Sequence, residues 1–252
     1  MKTALRSGIG AAVALLVALG GLPATAGTAA DPEITDPAGD GNYVSFLVPG
    51  DTRPASFDNL DLRAVWLETV FDARKIIDPA TGRVSKIDHV ATGLRMHVQT
   101  QGPMRPMPNG MNAVEIYAPI KFGTACLTTL SGYVDATDPA ADQVELAARK
   151  ECVGGENAVV LTSGLSRAIN GNVLSLTVPF SAPGGASKFI YPGQSLVAGT
   201  GTYNGVNAYF IPEGGVGTSF DRTVEGRTFT IGQDVPADVD CAAQPTYPGC
   251  SA

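Results

Sequence analysis

The residues Asp36-Pro37-Ala38-Gly39-Asp40-Gly41-Asn42 set two carboxylates and one amide oxygen on a single short turn. Pro fixes one φ angle and Gly permits a sharp return of the chain. Asp58, Asn59 and Asp61 follow, just ahead of a strand-like run. Ca2+ takes six to eight oxygen ligands on flexible loops, and short Asp and Asn side chains supply such oxygens at low entropic cost. The chemistry on offer is therefore cation binding. Ordinary turn formation uses the same residue types without any metal. An EF-hand is excluded, because the D-x-D-x-D-G spacing and the distal Glu are missing.

Other constellations offer less. The chain has two histidines, His89 and His97, which limits any nucleophile–base arrangement. No G-x-S-x-G precedes a helix pattern, so a nucleophile elbow is not indicated. With 24 acidic residues some carboxylate pair is inevitable, and sequence spacing cannot test its separation in space. Met104, Met107 and Met111 cluster near the histidines, but they sit in a Pro-rich stretch where Met commonly fills gaps under loops. Tyr117, Tyr133, Tyr203 and Tyr209 could stack on a glycan or pack across strands. The single Trp, at 66, alternates with Leu62 and Ala64, so it is expected to point into a core.

Lys2 and Arg6 precede an uninterrupted apolar run from Ile9 to Leu22, and Ala24-Thr25-Ala26 offers a small-residue cleavage site, with Thr28-Ala29-Ala30 a second candidate. This is the pattern of a secretory signal peptide over residues 1–26; the run is shorter than the roughly 20 residues a bilayer span takes. The mature protein is expected to be secreted, with no membrane span. In an exported chain four cysteines read as two disulfides, for which three pairings exist. Cys126–Cys152 and Cys241–Cys250 are favoured, since each pair is local and joined by a polar, turn-rich connection. Zinc is disfavoured, because the close C-x-x-C pairs are absent.

The elements that must position these groups are strands. Thirty Gly and 18 Pro in 252 residues leave little room for helices. Apolar and polar residues alternate through Leu94–Gln99, Val114–Ile120 and Leu174–Phe180, a period that puts one face on a core and one in water. Weaker strands are expected over Asp61–Val70, Ala125–Val134, Val144–Lys150, Ala158–Ser163, Ser195–Tyr203 and Val206–Ile211, with a short helix the alternative for Val144–Lys150. Asn170-Gly171 is expected to form a type I′ hairpin turn. From Gln233 the pattern stops, so the expected organisation is a β-sandwich over 27–233 and a Pro- and Asp-rich appendage over 234–252. Lys plus Arg number 17 against 24 Asp plus Glu, a net charge of −7. Removing residues 1–26 takes away two cations and no acid. Such a chain has no electrostatic means of holding phosphate backbones, which disfavours nucleic-acid binding.

Asp36-Pro37-Ala38-Gly39-Asp40, followed by Asp58-Asn59-Leu60-Asp61-Leu62-Arg63-Ala64-Val65 leading into a strand, resembles the start of bacterial exported domains similar to the DOMON and family-9 carbohydrate-binding-module group. Val173–Phe180 resembles the penultimate core strand of those domains, with Pro179 near its end. The resemblance spans roughly Asp31 to Gln233. It implies an all-β, jelly-roll-like sandwich of two antiparallel sheets, often stabilised by calcium and often used to bind sugars or haem. On this chain it makes Asp36 and Asp40 the Ca2+ ligands, with Asp61 a third; Asn42 offers a further oxygen on the same turn. A late acid such as Asp221 could complete the set. The chain departs from sugar-gripping members in having one Trp. The resulting expectation is a non-catalytic secreted sandwich that binds an extracellular glycan or cell-wall component and carries a structural Ca2+. The alternatives are an envelope interaction protein and a small secreted hydrolase.

Overall fold

The computed structural model describes residues 27–40, 58–104, 111–122, 126–135, 144–148, 159–161, 163–184, 186–188, 190–197, 206–212, 218–223 and 226–250. The apolar run of residues 9–22, Asn42, Met107, Cys152 and Tyr203 lie outside them, and so does the Cys126–Cys152 pairing. Among the described residues regular structure is strand, apart from one 3-10 turn at Ala186–Lys188. No helix there is long and apolar enough to cross a membrane.

Two antiparallel sheets are formed. The first runs β1 (Ile34–Thr35), β2 (Leu62–Ile77), β3 (Val84–Thr100), β9 (Val173–Pro179), β8 (Ser166–Asn170), with β14 (Val239–Asp240) added to β3. The second runs β12 (Thr218–Thr223), β11 (Val206–Pro212), β4 (Met111–Phe122), β5 (Cys126–Asp135), β6 (Val144–Ala148), β7 (Val159–Leu161). Onto β4 is added β10 (Ser195–Val197), which also pairs β13 (Phe229–Thr230). Both sheets feed one buried cluster. Leu94, Met96, Val98, Leu174, Leu176 and Val178 come from the first, and Leu146, Leu161, Leu196 and Phe229 from the second. The alternation over Leu94–Gln99 of β3 and through β9 produces this directly. Residues of one parity, cross-strand partners of each other, fill the inner face.

The strand expected from Val144 is present at Val144–Ala148, and the helix alternative falls away. Other expectations shift by a residue or more. The turn of the β8–β9 hairpin is centred on Gly171-Asn172, because Asn170 still pairs with Val173. Gly171 takes φ of 61° there, and Asn172 is anchored to the end of β3 by its side-chain N–H to the Thr100 carbonyl at 2.7 Å. Thr218–Thr223 is a strand with no apolar alternation to announce it.

The largest difference lies in β2. Leu62 pairs with Thr100 but Ala64 with Gln99, so Arg63 is an extra residue, a β-bulge. One extra residue reverses which parity faces inward. Val65, Leu67 and Thr69 are buried, while Trp66, Glu68 and Val70 stand on the outer face and are only part-buried. The expectation of an inward Trp66 is therefore corrected.

Beyond the sandwich, β2 and β3 continue as a long hairpin closed at Asp78, whose carboxylate accepts from the Thr81 hydroxyl at 2.7 Å and the Ala80 N–H at 2.9 Å. The C-terminal segment packs along it. β14 pairs with Lys86 and Ile87, Cys241 is disulfide-bonded to Cys250, and Ile87, Val239 and Cys241 form a second small core with Tyr247.

Candidate functional site

Two places in this frame gather polar chemistry. The first is acidic. Directly after β1, the Asp36 N–H donates to the Arg63 carbonyl at 3.0 Å, which fixes the start of the turn beside the bulge. The turn reverses at Gly39, with φ of 75°, and the Gly39 N–H donates to Asp61 Oδ2 at 2.7 Å. Asp40 is exposed at the turn's end. Asp221 comes from β12 in the other sheet, next to a register shift in the β11–β12 pairing, and is 6% exposed. Its Oδ2 accepts from the Leu62 N–H at 2.6 Å.

The fold thus brings carboxylate oxygens of Asp36, Asp40 and Asp221 within 4.8 Å of one another. Asp61 does not join that trio by distance. It supports the turn instead, and its other oxygen, Oδ1, is buried with no hydrogen-bond partner. Asp58 and Asn59 lie in the preceding turn and are not part of the trio; the Asp58 carbonyl accepts from Gly102 at 2.6 Å. Carboxylates gathered this closely repel one another, less so at the exposed Asp40 than at the buried Asp221. A divalent cation converts that repulsion into attraction. The donor set is all oxygen, which suits Ca2+ or Mg2+ and not the softer transition metals. Three carboxylates offer up to six oxygens, enough for the lower end of calcium's range.

The second place is the outer face of the first sheet. The bulge at Arg63 puts Trp66 opposite His97, Glu68 opposite Arg95, His97 opposite Ser175, and Arg95 opposite Thr177. Trp66 and His97 stack with ring centroids 4.9 Å apart and planes 12° from parallel. His97 Nδ1 is 2.8 Å from Ser175 Oγ, and its Nε2 is 3.7 Å from a Glu68 oxygen. Arg95 pairs with the other Glu68 oxygen and donates through Nε to the Thr177 hydroxyl at 3.0 Å. Burial under Trp66 pushes the His97 pKa below its usual value; Glu68 opposes that shift and Arg95 reinforces it. His97 is accordingly neutral at pH 7.

Ser175, His97 and Glu68 have the residue types of a nucleophile, base and orienting acid. The strand that carries Ser175 supplies no oxyanion donor of its own. β9 is paired on both sides, to β3 and β8, so ladder bonds take up its backbone N–H groups and none is aimed at a developing oxyanion. A haem site fares no better, since Met104 is buried in the core between the sheets whereas His97 is on the outer face. His89 lies on the distal hairpin, its ring nitrogen 3.0 Å from the Ala237 carbonyl. On the second sheet, register aligns Tyr209, Glu115 and Tyr133 across three strands, two residues along β4 from Tyr117.

Sequence reasoning found Asp36, Asp40 and the possible partner Asp221, but it missed the Trp66 face entirely. The alternation signal was there; the bulge that inverts it carries no sequence mark. Comparison with protein-family models, with curated proteins and with solved structures found no match to this chain.

Proposed function

We propose that the chain is an exported, non-catalytic, jelly-roll-like β-sandwich that binds an extracellular glycan on the outer face of its first sheet. A structural Ca2+ at Asp36, Asp40 and Asp221, with Asp61 holding the turn, would tie the N-terminal turn to the second sheet. The observation that carries the binding reading is the placement of Trp66. An outward indole beside Glu68, Arg95, His97, Ser175 and Thr177 combines an apolar ring face with several hydrogen-bonding side chains, the pairing that a sugar's apolar face and hydroxyl rim require. The test is binding to immobilised polysaccharides and a glycan array, with Trp66→Ala beside wild type. A glycan that wild type retains and Trp66→Ala binds about tenfold or more weakly supports the reading, on the scale of one lost aromatic contact. Equal retention of the two proteins, or no glycan bound by wild type, sinks it.

A small secreted hydrolase is the second reading, and the Ser175–His97 hydrogen bond is what favours it. Covalent labelling of Ser175 by a fluorophosphonate, lost in His97→Gln, would replace the binding reading with that one.

A further inference from the structure

The seven residues ahead of β1 fold back onto the first sheet. Thr28 and Asp31 exchange two backbone hydrogen bonds of 3.1 Å. Arg227 closes this loop from outside: its backbone N–H donates to the Glu33 carbonyl at 2.7 Å, and its guanidinium to the Asp31 and Pro32 carbonyls at 2.9 and 3.1 Å and to the Asp31 carboxylate at 3.2 Å. The Glu33 side chain turns inward, leaving the residue 5% exposed, and its Oε2 accepts from the Leu67 N–H at 2.8 Å.

Gly27 is buried against the same carboxylate, to which its backbone hydrogen-bonds. A Cβ at residue 27 would fall 2.0 Å from Glu33 Oε2, so a side chain there cannot be accommodated without moving the acid. Burial pushes the Glu33 pKa up; backbone N–H groups offset this, and among the charged groups of the described residues so does Arg227, whose hydrogen bonds are committed to the loop. A buried carboxylate held mainly by neutral N–H groups is costly, and a further cation in contact with it offsets part of that cost, less the cation's own desolvation.

The sequence supplies such a cation. Ala24-Thr25-Ala26 ends immediately before Gly27. Hydrolysis of the Ala26–Gly27 bond consumes one water, leaves a carboxylate on Ala26, and turns the Gly27 amide into an α-amine that is protonated near neutral pH. We propose that Gly27 is the mature N-terminus and that its α-ammonium forms a buried ion pair with Glu33, so that removal of residues 1–26 completes the fold. Because Gly27 is buried, the cut must precede folding. The alternative cut after Ala30 would delete Gly27 and leave Glu33 without this partner. The inference rests on the export reading given above, but its energetic half can be tested without export.

Three purified chains serve the test: one beginning at Gly27, one beginning at Ala26, and the first with its α-amine acetylated. Each is also made with Glu33→Gln. The Gly27 chain is expected to melt several degrees above the other two, and Glu33→Gln to erase that difference. Equal melting of the three wild-type chains, or a difference that survives Glu33→Gln, overturns the ion pair. Intact mass of protein exported from a bacterial host separates the two halves: a start at Gly27 supports the assignment and a start at Asp31 overturns it. Retention of residues 1–26 overturns the export reading itself, and the comparison of purified chains then decides the ion pair alone.

Discussion

His97 is the residue whose state can be read most directly, because the ring stacked on it belongs to the only Trp in the chain. Its folded pKa is depressed, chiefly by burial, whereas in the unfolded chain it returns to about 6.5. The unfolded state therefore takes up the proton first, and stability falls as pH drops from about 6.5 towards the lower folded value, below which this contribution is constant. Trp66 emission should titrate with a midpoint below 6.5, the imidazolium quenching the indole, and His97→Gln should abolish that titration. Urea denaturation should show wild type losing more stability than His97→Gln between pH 7 and pH 5. A Trp66 midpoint at or above 6.5 would mean that Glu68 outweighs burial.

The elements make their own predictions. Gly93, in β3 beside β9, has no room for a side chain: a Cβ would sit 2.8 Å from the Val178 carbonyl oxygen and 3.2 Å from the Pro179 Cα. Both neighbours are backbone, so the strain cannot be relieved by a rotamer change. Gly93→Ala should cost about 1–3 kcal/mol in urea denaturation, with wild-type spectra retained. The Cys241–Cys250 bridge closes a loop of sequence separation 9 that packs on the distal hairpin, away from the main core. A loop of that size is worth about 2–3 kcal/mol on the chain-entropy account. Replacing both cysteines by serine should release the tail, with faster amide exchange at Val239 and Asp240 and new protease cuts after residue 234, while the main unfolding transition scarcely moves. A large drop in that main transition would show the tail to be part of the sandwich's stability.

At the scale of the molecule the acidic trio matters because it joins the sheets. Asp36 and Asp40 follow the first strand of one sheet, and Asp221 lies on the edge strand of the other. An ion held there stabilises only the folded state, by about 2.7 kcal/mol at a hundredfold excess over Kd. The melting temperature should rise with millimolar calcium and fall with chelator, and either Asp40→Ala or Asp221→Asn should remove the difference. Asp221→Asn keeps an oxygen for the Leu62 N–H, so it tests charge more than folding. Magnesium should substitute poorly, since it demands a tighter octahedral cage. Identical melting of wild type in calcium and in chelator would reduce the trio to a turn contact.

Sequence by itself determined whatever depends on neighbours along the chain. The alternation of Leu94–Gln99 and Leu174–Phe180 made them strands with a buried face, because side chains of a strand alternate whatever the partner. Gly39 and Gly171 marked reversals because their positive φ is a local property. The short spacing of Cys241 and Cys250 made their pairing the favoured one. Tertiary structure decided what depends on register and on distance across the fold. The bulge at Arg63 arises from how β2 meets β3, and it alone turned Trp66 from the core to the outer face. Asp221, 160 residues beyond Asp61, reached the N-terminal turn only because β12 edges the second sheet beside it. The same holds for Glu33, whose burial against Gly27 and Leu67 is invisible in a sequence that marks it as one acid among 24. Local propensity fixes which residues extend; the free energy of closing two sheets on one core fixes which of them meet.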